Sequence, residues 1–163
     1  MTVKLDPRVH TAPADLEALH TAQMAMAQTL DSVAKADLAA HAVAEQMNAP
    51  QNASLATQLQ PFNDALKLVL SGDPSKHRPG IDEVNGEAGQ LFGQLEQSDN
   101  PSTDALSKAA AHVGDEAKEA EPAWEQFRDQ QLPALNKVLE GAHHARINLA
   151  KPPGDMPEEG DED

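Results

Sequence analysis

Residues 16–47 read LEALHTAQMAMAQTLDSVAKADLAAHAVAEQM, and their spacing decides the fold class. Alternating steps of three and four pick out Leu16, Leu19, Gln23, Met26, Leu30, Val33, Asp37, Ala40, Ala44 and Met47. That is a mostly apolar seam on one face of a helix. A helix of about 34 residues is about 50 Å long at its rise of 1.5 Å per residue. Thr11 is placed to cap its N-terminus, Pro13 suits its first turn, and Asn48 and Pro50 stop it. One long helix with a single apolar seam needs partners.

The rest of the chain supplies them. A second helix is predicted from about Ala53 to Leu70, capped by Asn52 and kinked at Pro61, with Leu55, Leu59, Phe62, Leu66 and Val69 as its seam. Gly72, Pro74, Pro79 and Gly80 mark a loop. A third helix follows from about Ile81 to Gln97, with Ile81, Val84, Ala88, Leu91 and Leu95 on one face. Gly86, Gly89 and Gly93 share another flank, which reads either as a surface for close approach of a neighbour or as a weak helix. Ser98 to Pro101 ends it, and Ser102 or Thr103 caps a fourth helix reaching about His143. The seam of that helix runs through Leu106, Ala110, Val113, Ala117, Ala120, Trp124 and Phe127, then Leu132, Leu135, Val138 and Leu139. Pro122 and Pro133 predict one or two kinks or a break. Short links make sequential neighbours antiparallel. The expectation is an all-α, up-down-up-down four-helix bundle with long first and fourth helices and short second and third ones. The short pair would form a hairpin against the C-terminal half of the first helix. A two-helix stalk would hold Leu16, Leu19 and Met26 against Leu132, Leu135 and Leu139.

Composition agrees with helices. The chain has 163 residues, enough for one domain, and only 2% aromatics, too few for the usual large sheet. A formal net charge of −15 argues against nucleic acid and anionic membrane surfaces, and points to a basic partner, to cations or to plain solubility. Without cysteine, disulfides and thiol chemistry are excluded. No apolar run is long enough to span a bilayer and no signal peptide is visible, so any export signal would lie outside this sequence.

The two ends differ from the middle. Val3 and Leu5 alternate with polar residues before Pro7, as on a half-buried strand. Residues 1–10 are therefore expected to be an extended segment, the remnant of a preceding β domain, with Met1 standing in mid-strand as at the start of a cut piece. Residues 11–149 form the bundle. Residues 150–163 are proline, glycine and acid, a tail expected to be disordered.

Asp6-Pro7-Arg8-Val9 before a long helix opening at Asp15-Leu16 resembles the C-terminal helical region of bacterial proteins with a sortilin-like or sialidase-like β-propeller, often described as glycosyl hydrolases. Val84-Asn85-Gly86 with Leu91-Phe92-Gly93, Asp99-Asn100-Pro101-Ser102-Thr103, and Trp124 followed by Leu132-Pro133-Ala134-Leu135-Asn136 carry the same resemblance, which covers about Thr2 to Leu149. It implies that the opening stretch ends an immunoglobulin-like domain and that the setting is extracytoplasmic. It brings no catalytic residue, because the blades and their Asp-box turns are not in this sequence. The acidic extension after Leu149 departs from the pattern.

A search for chemistry leaves few candidates. No phosphate loop and no Gly-x-Ser-x-Gly elbow occur. His10, His77 and His144 lack ligand spacing, while His41 with Glu45 and His112 with Glu116 read as solvated surface pairs. Glu17-x-x-His20 and Glu140-x-x-His143 look like half of a di-iron carboxylate site. Antiparallel first and fourth helices would bring both motifs to one end. The second helix has no glutamate, however, and Glu83 and Glu87 of the third belong beside the other end. Acids in a first turn and histidines in a last turn also satisfy the helix dipole. No catalytic, cofactor-binding or metal residue is therefore expected. The reading is a non-catalytic accessory or scaffolding domain from a larger propeller-bearing protein, packed against the parent's β domains or another protein. The alternatives are a stand-alone adaptor for a basic partner and a ferritin-like metal bundle.

Overall fold

The computed structural model describes residues 13–96 and 104–149. The expected segment at 1–10, the cap at Thr11, the helix break at 98–101, the cap at Ser102 or Thr103 and the acidic tail from 150 lie outside the described residues. So does the side chain of Leu16. The described chain is an all-α bundle. Helix α1 spans Pro13–Met47, α2 Ala56–Leu70, α3 Ile81–Glu96, α4 Asp104–Gln126 and α5 Leu132–Gly141, with a single π-helical turn at Phe127–Gln131 joining the last two. Read through that turn, the fourth helix is long like the first, and the second and third are short, as expected.

The seam of α1 behaves as its spacing predicts: Leu19, Met26, Val33, Ala40 and Met47 are all buried. Its two polar positions mark where α3 docks. Gln23 Nε2 donates to the Leu95 carbonyl (2.9 Å), and Asp37 Oδ2 accepts from Asn85 Nδ2 (2.9 Å). The start of α3 thus lies beside the far part of α1 and its end beside the near part, so the two run antiparallel. Helix α4 runs parallel to α1, for Glu17 and Ala18 share a groove with Ser107, while Lys35 and Ala39 share one with Glu125 and Arg128. Helix α2 returns past the last turns of α1, where Asn48 Nδ2 donates to Asn63 Oδ1 (3.2 Å) and Lys67, Leu70 and Asp82 flank Ala44.

The direction therefore alternates between three legs: α1 up, α2 and α3 down in series, α4 and α5 up. The expected side-by-side hairpin of the second and third helices does not form, and neither does the two-helix stalk. Leu19 and Met26 lie where α3 and the start of α4 flank α1, whereas Leu132, Leu135 and Leu139 sit at the opposite end, where α2 packs on α5. The physical reason is length. Helices of 15 and 16 residues placed end to end nearly match the 35 residues of α1, so they pair with it in series rather than side by side.

The loop between α2 and α3 permits the serial arrangement because it closes on itself. Asp73 and Arg78 exchange backbone hydrogen bonds (2.9 and 3.1 Å), Asp73 Oδ1 accepts from Ser75 N and Oγ, and Arg78 Nη2 donates to the Leu68 carbonyl. Its two ends touch: a Cβ on Gly80 would collide with the Leu70 carbonyl and stand 2.6 Å from Gly72 N. Gly72 also adopts φ 85, which favours glycine.

Just before Pro133, where the sequence predicts a kink or break, the chain runs through the π turn. Buried positions step from Trp124 to Phe127, then by five residues to Leu132, then to Leu135 and Leu139. Leu132 N bonds the Phe127 carbonyl, the i→i−5 bond that absorbs the extra residue and keeps the seam on one face. Beyond α5, His143 takes a left-handed φ of 62, and His143 N and His144 N bond the Glu140 and Leu139 carbonyls in a Schellman motif.

Asn52 is not the cap of α2 that the sequence led us to expect. It is buried in a 3₁₀ turn (Pro50–Leu55), and its Nδ2 donates to the Gln46 carbonyl (2.9 Å) at the end of α1. Its Oδ1 meets His144 Nδ1 (2.7 Å). The residues after α5 are fastened the same way. Asn136 bonds Ile147 N (2.8 Å) and its carbonyl (3.4 Å), and Gln46 bonds Asn148 N and its carbonyl (both 2.9 Å). Each amide stands in for a strand neighbour, and Ile147 is buried beneath.

Candidate functional site

Three legs leave one long face without a fourth. Helices α1 and α4 meet there over an open groove of about 880 Å³ with walls of small residues, among them Ala18, Ala22, Ala25, Ala110, Ala111 and Gly114, and with Met26 at its base. These residues follow from the sequence pattern. Alanines flank the seam of α1 at Ala18, Ala22 and Ala25, and Ala110, Ala111 and Gly114 do the same on α4. On the rim, Lys118 pairs with Asp115 (2.8 Å). A separate, smaller hollow further along α1 and α4 is lined by Asp31, Lys35, Glu121 and Glu125, with Lys35 paired to Asp31 (2.7 Å). The Lys118 ammonium holds the Asp115 carboxyl below its usual range.

Two carboxylate clusters flank α3. Between α1 and α3, His41 Nε2 lies 3.3 Å from Asp37 and 3.1 Å from Asp82. Burial, then the Asp82 carboxyl, push the Asp37 carboxyl up, and its Oδ1 is buried without a hydrogen-bond partner. These three side chains come within 4.8 Å of one another, but they pair among themselves and Asn85 occupies the second oxygen of Asp37. The arrangement is a charge-pair network. Between α3 and α4, Glu116 lies 3.4 Å from His112 and faces Glu87 and Glu83. Burial first, then those glutamates, push its carboxyl up, and Glu116 Oε2 is buried without a partner.

The sequence candidates are distributed as follows. His112 and Glu116 pair, but Glu116 is half-buried rather than solvated, and His41 turns away from Glu45 to Asp37 and Asp82. Glu17 and His20 are exposed on the first turns of α1, and Glu140 and His143 are exposed at the end of α5. Because α4 and α5 run parallel to α1, the two Glu-x-x-His motifs stand at opposite ends of the bundle, not at one end as expected. Glu140 pairs with Arg146 (3.0 Å). His77 is exposed in the α2–α3 loop, His144 binds Asn52, and His10 lies outside the described residues.

Comparison of the chain with protein-family models, curated proteins and solved structures finds no match. Among the described residues no helix is long and apolar enough to cross a membrane.

Sequence reasoning missed Asp37, Asp82 and Asn85 as partners. The signal was present in Asp37-x-x-x-His41 and in the acid opening the third helix. It needed the antiparallel register of α1 and α3, which a hairpin topology denies.

Proposed function

We propose that this chain is a non-catalytic helical accessory domain that docks through the α1–α4 groove, as part of a larger propeller-bearing protein of the kind its sequence resembles. The observation carrying this is the groove itself. A trough walled by alanine and glycine lets a partner backbone approach closely, as in tight helix–helix packing at about 8 Å. The partner presents a small apolar ridge flanked by basic side chains, because the groove is apolar at its base and the chain carries a net −15. In the larger protein that partner is a neighbouring segment of the same polypeptide; otherwise it is a separate protein.

Site-directed photo-crosslinking in the native cell tests this. A photoreactive residue at position 22 or 111 should label one defined polypeptide, and the same probe at exposed Leu38 should not. Ala22→Arg with Ala111→Arg should abolish labelling from position 25 while the purified variant keeps its helicity. Equal labelling from both faces, or labelling that survives the arginine pair, would refute the groove as the docking face.

A further inference from the structure

Helix α3 is held on both sides by pairs of like charges. Toward α1, Asp82 faces Asp37; toward α4, Glu87 and Glu83 face Glu116. In each pair one carboxylate oxygen is buried without a hydrogen bond, Asp37 Oδ1 and Glu116 Oε2, although His41 Nε2 stands 3.3 Å from the first. Each has a histidine of its own helix beside it, His41 and His112. The remaining polar groups nearby are engaged or distant. Asn85 donates to the other oxygen of Asp37, Asp64 and Lys67 of α2 share a shallow groove with Asp82, and Lys118 is paired with Asp115. Among the described residues neither orphaned oxygen receives a lysine or arginine.

We infer that α3 is an acid-reinforced latch, docked to α1 and α4 by two carboxylate pairs that hold best when each pair shares a proton. The inference stands on the α3 interfaces and does not depend on the groove. A proton shared within a pair satisfies the orphaned oxygen and removes the repulsion. Both Asp37 and Glu116 titrate above their usual values of 3.8 and 4.5. Raised folded-state values mean that the folded chain takes up protons. The stabilisation is fully present below the usual carboxylate range and is lost as pH rises through the raised values. Helix α3 is also the leg with least to lose locally, since Gly86, Gly89 and Gly93 lower its intrinsic helicity.

Hydrogen exchange on the full chain at pH 4 and pH 8, corrected for intrinsic rates, tests this. Amides of α3 should gain severalfold protection at pH 4, the direction that the raised Asp37 and Glu116 values dictate, while those of α5 change little. Asp37→Asn with Glu116→Gln should give α3 its acid-level protection at pH 8 and flatten the pH dependence. Asp82→Asn with Glu87→Gln, at exposed positions, should do the same and stands in if the first pair does not fold. Equal protection of α3 at both pH values, or an unchanged pH dependence in both double variants, would overturn the latch. So would protection at pH 8 by one equivalent of Zn(II) or Ca(II) that Asp37→Asn removes, since a cation would then take the proton's place.

Discussion

The two ends of the bundle are built differently. At the far end, α2, the π turn and α5 enclose Leu59, Leu66, Trp124, Phe127, Leu132, Leu135 and Leu139, with Trp124 stacked on Phe127 at 6.1 Å. Asn52, Asn136 and Gln46 then tie the closing segment down by its backbone. At the near end, Leu19, Met26, Leu91 and Leu95 pack among the smaller Ala88, Val113 and Ala117 without an aromatic pair, an open groove runs between α1 and α4, and α3 is flanked by acids. Stacked aromatics and satisfied amides tie one end down, while the open groove and the carboxylate oxygens without hydrogen bonds leave the other less tied. Stability is not uniform along a structure, and functional surfaces come from its less stable parts.

The largest expected effect tests the tied end. Trp124→Ala should cost about 4 kcal/mol, from lost burial plus the cavity beside Phe127. Urea melts read it, and a loss under about 1 kcal/mol, the size of an ordinary surface change, would deny that the far end carries the fold. Next comes the junction between the ends. Gly80→Ala forces a methyl group into the Leu70 carbonyl and Gly72, both backbone and unable to swing aside. A loss of about 2–3 kcal/mol is expected, in the range of strained backbone substitutions. A neutral Gly80→Ala would mean that α2 and α3 are not closed end to end by this loop. Third, Asn136→Ala leaves Ile147 N and its carbonyl without partners and should cost about 1–3 kcal/mol. Exchange of the Ile147 amide should quicken more than that of α5, which separates loss of the tie from general unfolding.

Much of this was legible in the sequence, and what was not has a common cause. The seams of α1, α3 and α4 were readable because burial imposes its period locally; all five predicted core positions of α3 are buried. Helix ends at Asn48 and Ile81 were readable from proline, asparagine and glycine chemistry. The direction of α3 was not, because periodicity says which face is buried and nothing about which neighbour buries it. Comparing summed helix lengths across the Gly72–Gly80 loop would have separated a serial α2–α3 arrangement from a side-by-side hairpin. The five-residue step from Phe127 to Leu132 would likewise have placed the π turn. Asn52 and Asn136 escaped because a buried amide that mimics a backbone partner has no sequence period. The charge networks at Asp37 and Glu116 depend on the same missing register.

The smallest effect tests the less tied end by tightening it. A methyl group on Gly93 or Gly86 would meet nothing within 4 Å, and the one on Gly89 would only touch Leu30 Cδ1 at 3.9 Å. The sequence left two readings of this flank, close approach or a weak helix. Within the described chain nothing approaches Gly86 or Gly93, so the helix bears the entropy of glycine without return. Gly93→Ala should therefore stabilise by about 0.5–1 kcal/mol, the difference between glycine and alanine inside a helix. The gain should appear as slower exchange in α3 and leave α5 unchanged, narrowing the contrast between the ends. Paired with Gly86→Ala the gains should add, because the two sites are about two turns apart and share no neighbour. A loss of stability instead would mean that the flank is covered after all, and the glycines would then be contact residues in a part of the bundle that looks open.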